Sequence, residues 1–112
     1  MSLLVAAACS GSTTVANTTI RHSVAEQVYA HDGSATVEQY QQAFRALGAR
    51  CRERVGRLAD FAVKAQRIIR NRTHRREPLI RIIRRVTASI PTLGKTLCVA
   101  VFDAYTTLKA GP

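Results

Sequence analysis

Residues 36–73, TVEQYQQAFRALGARCRERVGRLADFAVKAQRIIRNRT, decide the fold of this 112-residue chain. Their apolar residues recur at spacings of three and four, and at 100° per residue they fall within an arc of about 80° on a helix. Because no proline interrupts them, the spacing predicts one continuous helix about 55 Å long. We call this row the apolar stripe. Its members are Val37, Tyr40, Phe44, Leu47, Cys51, Val55, Leu58, Ala62, Ala65 and Ile69.

The start of this helix is marked by Thr36 and Gln39, which have the spacing of a capping box. In such a box the threonine hydroxyl accepts a hydrogen bond from a first-turn amide, and the glutamine side chain reaches back to the threonine amide. At the other end, the polar residues 71–77 precede Pro78, which suits the beginning of a further helix because it has no N–H to leave unpaired. The long helix is therefore expected to end near residue 73.

Shorter helices are predicted around this segment, at about 14–30, 78–90 and 92–109, from apolar residues at helical spacing. No strand-like alternation occurs in the chain. The predicted fold class is all-α: a helical hairpin with a long basic second helix, followed by one or two C-terminal helices. Residues 14–112 are expected to form a single helical domain after a flexible N-terminus over residues 1–13.

A helix of this length cannot be fully covered by the rest of so short a chain. The apolar stripe therefore predicts self-association or a large partner. In the self-association model a second copy of the chain covers the middle of the stripe. The predicted dimer seam is Tyr40, Phe44, Leu47, Cys51, Val55 and Leu58.

The charge of the chain is strongly basic, with 17 Lys and Arg against 7 Asp and Glu and a net charge of +10. Residues 45–85 hold 14 of the basic residues and three acids, which gives this span a net charge of +11. A hydrophobic content of 46% excludes a disordered basic tail. No apolar run is long enough to span a membrane. Such an excess of positive charge favours a polyanionic partner, with nucleic acid ahead of an anionic membrane surface.

The predicted nucleic-acid-binding residues border the apolar stripe or lie in the third helix. Arginine, which dominates the set, favours bidentate contacts with phosphate groups. The set is Arg45, Arg50, Arg52, Arg54, Arg57, Lys64, Arg67, Arg70, Arg81, Arg84 and Arg85.

The kind of nucleic acid follows from what the basic span lacks. Single-strand binders interleave basic groups with exposed aromatic rings, whereas here Phe61 is the one aromatic candidate among the basic residues that border the stripe. No zinc-finger or helix-turn-helix spacing is present to read a major groove. A long basic surface without such chemistry suits recognition of a duplex backbone, and in RNA this means shape and 2′-hydroxyls. From the residues themselves, a DNA duplex is the alternative to an RNA duplex.

Catalytic and metal-binding chemistry is not expected. The three histidines are scattered, and the segment from Ser89 to Thr96 resembles a phosphate-binding loop but follows a predicted helix rather than a strand. Cys9, Cys51 and Cys98 are odd in number and widely spaced. That pattern predicts small buried apolar side chains in a reducing compartment, with no metal and no cofactor.

The pattern of residues 18–72 resembles the small RNA-silencing suppressors of nodaviruses. The resemblance rests on Ile20-Arg-His-Ser-Val24-Ala-Glu-Gln-Val28, the turn after it, and the helix from Glu38 to Ala65. It implies an antiparallel helical homodimer that lies along double-stranded RNA in the host cytoplasm and shields it from dicing. By position, Arg50, Arg54, Arg57 and Lys64 would then face the phosphates. The arginine-rich third segment and the apolar C-terminus depart from the family pattern.

Two other interpretations compete with this one. The chain can be a basic helical structural subunit of a large assembly, such as an organellar ribosome or a respiratory complex, in which other proteins bury the apolar stripe. A membrane-surface helix is the less favoured interpretation, because clustered aromatic residues are missing.

Overall fold

Residues 23–111 are described by the structure, a computed structural model, and their regular secondary structure is helical. This confirms the all-α class. Within this range the five helices are α1 (23–31), α2 (Val37–Gly48), α3 (Val55–Thr73), α4 (Leu79–Ser89) and α5 (Val99–Ala110). The predicted flexible N-terminus and residues 14–22 of the first predicted helix lie outside the described residues.

The predicted continuous helix over residues 36–73 is wrong, because the chain forms two helices there, α2 and α3, joined by residues 49–54. The link pairs with a segment close to the C-terminus. Cys51 and Thr96 form a parallel β-bridge in which the amide of Arg52 donates to the Thr96 carbonyl and the amide of Thr96 donates to the Arg50 carbonyl, both at 2.9 Å. These backbone groups therefore satisfy their hydrogen bonds outside a helix.

A disulfide between Cys51 and Cys98 joins the same two segments, with their α-carbons 5.4 Å apart. Both side chains are buried, as predicted, but they are paired rather than free. The prediction of unpaired cysteines is therefore wrong for Cys51 and Cys98. Cys9 lies outside the described residues.

The outer ends of α2 and α3 agree with the sequence-based boundaries. The capping box is present at α2: the Gln39 amide donates to the Thr36 hydroxyl at 3.1 Å, and the Thr36 amide donates to the Gln39 side chain at 2.8 Å. The end of α3 is at Thr73, followed by His74 in the left-handed conformation with φ 59°. That conformation is a common way to terminate a helix.

The two C-terminal helices differ in how well the sequence anticipated them. Helix α4 has nearly the predicted bounds, and its apolar residues from Leu79 to Val86 face the core. Helix α5 begins at Val99 rather than near residue 92, because the preceding residues are used by the β-bridge and the disulfide. Its buried residues are Phe102 and Tyr105, while Leu108 is 80% exposed.

The core lies where α3 packs against α5 and α4, and where α2 packs against α4. The largest fully buried side chains come from all four of these helices and from the disulfide. They are Tyr40, Phe44, Phe102, Leu47, Leu58, Leu79, Ile82, Ile83, Val86, Cys51 and Cys98. The chain thus covers the apolar stripe with its own helices.

The predicted dimer seam is therefore part of the core of one chain. Tyr40, Phe44, Leu47 and Leu58 have no exposed surface, Cys51 is 1% exposed, and Val55 packs against the same core. The reason is the break at residues 49–54, which lets two short helices fold onto α4 and α5 instead of extending into solvent. These side chains cannot present a seam to a second copy while the chain keeps this fold.

A buried polar cluster fixes the turn after α1 to the rest of the core. The Asp32 carboxylate accepts hydrogen bonds from the side-chain amide of Gln66 at 2.8 Å and from the backbone amides of Leu79 and Ser34 at 2.9 and 3.0 Å. The Tyr40 hydroxyl donates to the Asp32 carbonyl. Burial alone would raise the pKa of Asp32, but the hydrogen bonds to its carboxylate outweigh burial and lower it.

Candidate nucleic-acid interface

The arginine side chains of the predicted site lie on the surface of several elements rather than along one helix. Arg45 is in the last turn of α2, and Arg52 and Arg54 belong to the link before α3. Helix α3 carries Arg57, Lys64, Arg67 and Arg70, and helix α4 carries Arg81, Arg84 and Arg85. All ten of these side chains are exposed.

Arg50, the remaining predicted binding residue, has an internal role. It is partly buried, and its Nη1 donates to the Thr87 carbonyl at 2.6 Å and to the Ile90 carbonyl at 3.5 Å. These carbonyls lie at the C-terminal end of α4, where the last turn of a helix leaves acceptors unpaired and carries partial negative charge. Arg50 therefore caps α4 through Nη1, and it does not belong to the exposed set of cations.

A first basic cluster lines a cleft of about 730 Å³ beside the disulfide. We call it the disulfide cleft and define it by Arg45, Arg52, Arg54 and Lys95. Arg52 and Lys95 come from the two segments that the β-bridge joins, and Nε of Arg52 donates to the Lys95 carbonyl at 3.3 Å. The cleft thus combines cations that are up to 50 residues apart in the sequence.

A second basic cluster lies where the C-terminal half of α3 approaches the end of α1. His31, Arg67, Arg70 and Arg76 line one depression there. Arg76 donates to the His31 carbonyl at 3.0 Å, and the ring nitrogen Nε2 of His31 is 3.2 Å from Oε1 of Gln66. The position of this cluster is therefore tied to the buried Asp32 network through Gln66.

A third basic cluster is on α4, where Arg81, Arg84 and Arg85 line one shallow depression with Ser34 and Pro78. Their spacing of three and four residues places them on the same side of the helix. The opposite side carries the buried apolar residues of α4. The sequence predicted this solvent-facing row of arginines for the helix over residues 78–90, which is α4 in the structure.

The groove between α3 and α5 has mixed charge. Arg57 and Lys64 line it together with Asp60 and Asp103, so it differs from the three basic clusters. The guanidinium carbon of Arg57 lies 5.6 Å from the ring centroid of Phe61, within range of a cation–π contact. Phe61 in turn packs against Phe102, with the ring centroids 5.7 Å apart.

Two of the three acids in the basic span have partners inside the fold. The Glu53 carboxylate accepts hydrogen bonds from the amides of Cys98 and Val99, both at 2.9 Å, at the start of α5. Burial would raise the pKa of Glu53, but these hydrogen bonds and the charge of Arg57 lower it. Glu77 is buried, accepts a hydrogen bond from the Tyr105 hydroxyl at 2.6 Å, and lies 3.9 Å from Lys109.

Basic groups therefore outnumber acidic groups more strongly on the exposed surface of residues 45–85 than in their composition. Of the three acids among residues 45–85, Asp60 is exposed, while Glu53 is partly buried and Glu77 is buried. Like charges on one surface repel each other unless an anion neutralises them. A partner with many closely spaced negative charges therefore fits this surface better than a neutral one.

Sequence reasoning missed Arg75, Arg76 and Lys95 as exposed cations. Arg75 and Arg76 were counted in the charge of the span, but they lie after the end of α3 and had no helical face to join them to the site. Lys95 stands outside the basic span, in a segment predicted to be helical. The pairing of that segment with residues 50–52 has no signature in the sequence.

A group that could hold a metal ion also lies beside the cleft. Cys51, Glu53 and Cys98 bring their ligand atoms within 4.8 Å of one another. The two sulfur atoms are bonded to each other, so neither is a thiolate ligand, and the Glu53 carboxylate already accepts two amide hydrogen bonds. The oxidised protein therefore has no ready metal site at this position.

Comparisons with known proteins found no match to this chain among family models, curated proteins or solved structures. None of the described helices is long and apolar enough to cross a membrane. The distribution of charge and the geometry of the clusters therefore carry the information on function.

Proposed function

We propose that this protein binds double-stranded RNA through the phosphate backbone, without reading base sequence. The observation that carries the proposal is the surface charge: ten of the eleven predicted binding residues are exposed, and two of the three acids in the same span are engaged inside the fold. Basic surfaces of this kind bind nucleic acid by neutralising phosphates and releasing counterions.

The placement of the aromatic residues favours a duplex over a single strand. Base stacking requires exposed rings among the cations. Among the described residues, Tyr40, Phe44, Phe102 and Tyr105 are buried, and Phe61 is partly covered. Tyr29 on α1 is 46% exposed, but it lines none of the three basic clusters. Backbone contacts are therefore the chemistry that this surface offers.

Shielding of duplex RNA from dicing, as a viral suppressor of RNA silencing, is the biological role that such binding would serve. This part of the proposal rests on the resemblance of residues 18–72, in which one long helix was expected where the structure has α2 and α3. A homodimer would have to use a surface other than the apolar stripe. The disulfide weighs against a role in the host cytoplasm, because cytosolic thiols are kept reduced.

A structural subunit of a large assembly is the second candidate function. The observation that favours it is a set of exposed apolar side chains around the start and the end of α5: Leu93 is 91% exposed, and Leu97, Val99 and Leu108 are exposed as well. Apolar side chains in solvent become favourable contacts when a partner protein covers them. In this case the arginine clusters would contact the RNA or acidic proteins of the assembly.

A mobility-shift experiment separates the two candidates. The purified chain is titrated into double-stranded RNA, a DNA duplex of the same sequence and single-stranded RNA, each at two salt concentrations. Duplex-RNA binding that is tight, indifferent to sequence and stronger than binding to the other two supports the proposal. Weak binding that has a similar affinity for all three nucleic acids and is lost at the higher salt concentration contradicts the proposal. That result favours the assembly subunit.

The matched variant for this experiment removes three exposed cations from α3, with Lys64, Arg67 and Arg70 changed to Gln. We expect the affinity for the RNA duplex to fall by a similar factor for all sequences, because phosphate contacts carry no base information. Lys109→Gln serves as a control, since Lys109 lies beside Glu77 rather than in a basic cluster.

A further inference from the structure

The disulfide cleft is lined by four cations from segments whose backbones are joined to one another. Arg45 comes from the end of α2, Arg52 and Arg54 from the link, and Lys95 from the segment before α5. Residues 50–52 and 96 are held together by the β-bridge, and the Cys51–Cys98 disulfide locks the same two segments covalently. The walls of the cleft are thus held in place before any ligand arrives.

The cations of the cleft outnumber its acids: among the described residues that line it, four are cationic and one, Glu53, is acidic. Arg45, Arg54 and Lys95 form no hydrogen bond or ion pair through their side chains with residues 23–111, and Arg52 uses Nε on a backbone carbonyl. Holding such charges close together costs free energy unless an anion sits between them. Their arrangement therefore favours the binding of an anionic ligand.

Glu53, the acid that lines the same cleft, does not neutralise it. Its two carboxylate oxygens each accept one backbone amide, from Cys98 and Val99, at the first turn of α5. The carboxylate keeps its negative charge, so it offsets one of the four cations that line the cleft. The cleft keeps an excess of positive charge, which suits a ligand carrying two or more negative charges on closely spaced oxygens.

We propose that the disulfide cleft is a binding site for a phosphate or diphosphate group, held by Arg45, Arg52, Arg54 and Lys95. A guanidinium group can donate two parallel hydrogen bonds to two oxygens of one phosphate, and a lysine adds a point charge. The site is one discrete position on the surface, whereas a duplex would contact many. This inference rests on the proposed function, because phosphate was chosen as the ligand on the ground that the protein binds a nucleic-acid backbone.

Sodium pyrophosphate, titrated into the ¹⁵N-labelled full chain at constant ionic strength, tests the site by nuclear magnetic resonance. We expect saturable shifts of the backbone amides in residues 45–54 and 95–96. In the double variant Arg54→Gln/Lys95→Gln the affinity should fall about tenfold, as expected for the loss of charge-assisted hydrogen bonds. Neither side chain has a partner among the described residues, so the fold should survive, and thermal unfolding checks this.

The matched control is Arg81→Gln/Arg84→Gln, which removes the same charge from the exposed side of α4. We expect its pyrophosphate affinity to change by less than about twofold, because exposed distant charges are screened by salt. Equal losses in the two double variants would overturn the proposal, as would shifts spread evenly over all arginine-bearing helices. Either result would mean that bulk charge alone attracts the anion.

A short RNA duplex with hydroxyl ends, added as a competitor, identifies the source of the phosphate. Displacement of pyrophosphate from the cleft supports the site and assigns it to a nucleic-acid backbone. Saturable pyrophosphate binding without duplex binding supports the site but contradicts the proposed function, and it assigns the cleft to a free phosphate compound. Duplex binding without saturable pyrophosphate binding overturns this proposal alone.

Discussion

The guanidinium of Arg50 donates to the backbone carbonyl of Thr87 at 2.6 Å, which ties the link after α2 to the C-terminal end of α4. An arginine in the middle of a basic span thus stabilises the fold rather than contacting a partner. Arg54, four residues away, is exposed and has no partner among the described residues. The two arginines give the charge of the span two separate roles.

Arg50→Gln and Arg54→Gln, each removing one charge, separate these roles. We expect Arg50→Gln to lower the free energy of unfolding by about 1–3 kcal/mol, because carbonyls at the end of α4 lose a charged donor. Arg54→Gln should leave stability within about 0.5 kcal/mol and weaken duplex-RNA binding instead. Denaturant unfolding and mobility shift measure the two effects, and equal destabilisation by both changes would contradict the assignment.

Reduction of the Cys51–Cys98 disulfide should destabilise the chain by roughly 2–4 kcal/mol, because the bond closes a loop between residues 47 apart and so restricts the unfolded state. Urea unfolding with and without a phosphine reductant measures this difference. Cys9→Ser is the control, since it removes a cysteine that takes no part in the Cys51–Cys98 bond and should leave the effect of the reductant unchanged. An unfolding midpoint indifferent to reductant would show that the bond contributes nothing.

Acid should destabilise the protein through Asp32. The pKa of this carboxyl is lowered by its hydrogen bonds, so its contribution to stability is fully present above its ordinary value of 3.8 and is lost as pH falls through the lower folded-state value. Asp32→Asn should therefore show a smaller loss of stability between about pH 5 and pH 2 than the natural chain. Thermal unfolding across this range, with exposed Asp103→Asn as the control, measures the difference.

Leu47→Ala tests whether the apolar stripe belongs to the core of one chain. Leu47 is fully buried, so we expect a loss of about 2–5 kcal/mol in the free energy of unfolding, independent of protein concentration. The control is Leu108→Ala, whose side chain is 80% exposed and should cost little. Stability that depends on protein concentration in the natural chain, and a lower mass of the variant by light scattering, would restore the predicted dimer seam.

The sequence predicted the local features of the fold well. The capping box of Thr36 and Gln39, the end of α3 at Thr73 and the inward face of α4 all depend on residues within a few positions of each other. These interactions are local, and helix periodicity and capping chemistry describe them.

The break between α2 and α3 could not be predicted because it depends on residues far away in the sequence. The stripe runs from Leu47 through Cys51 to Val55 at spacings of four, which is what an uninterrupted helix would show. Despite this local pattern, the β-bridge to Thr96 and the disulfide to Cys98 are formed by a link that is not helical. The capping role of Arg50 depends on the same long-range packing.

The candidate site was predicted in part for the same reason. The exposed arginines of α3 and α4 follow from their positions outside the row of apolar residues on each helix. Lys95 and the disulfide cleft depend on the contact between residues 50–52 and 96, which neither composition nor spacing indicates.

The salt dependence of duplex-RNA binding tests the central claim most directly. Binding constants are measured over a range of salt concentrations for the natural chain and for the variant in which Lys64, Arg67 and Arg70 are changed to Gln. The account predicts a linear fall of log K with log salt, with a slope that flattens by up to about one unit for each phosphate that the variant no longer neutralises. A variant that keeps both the affinity and the slope of the natural chain would contradict it.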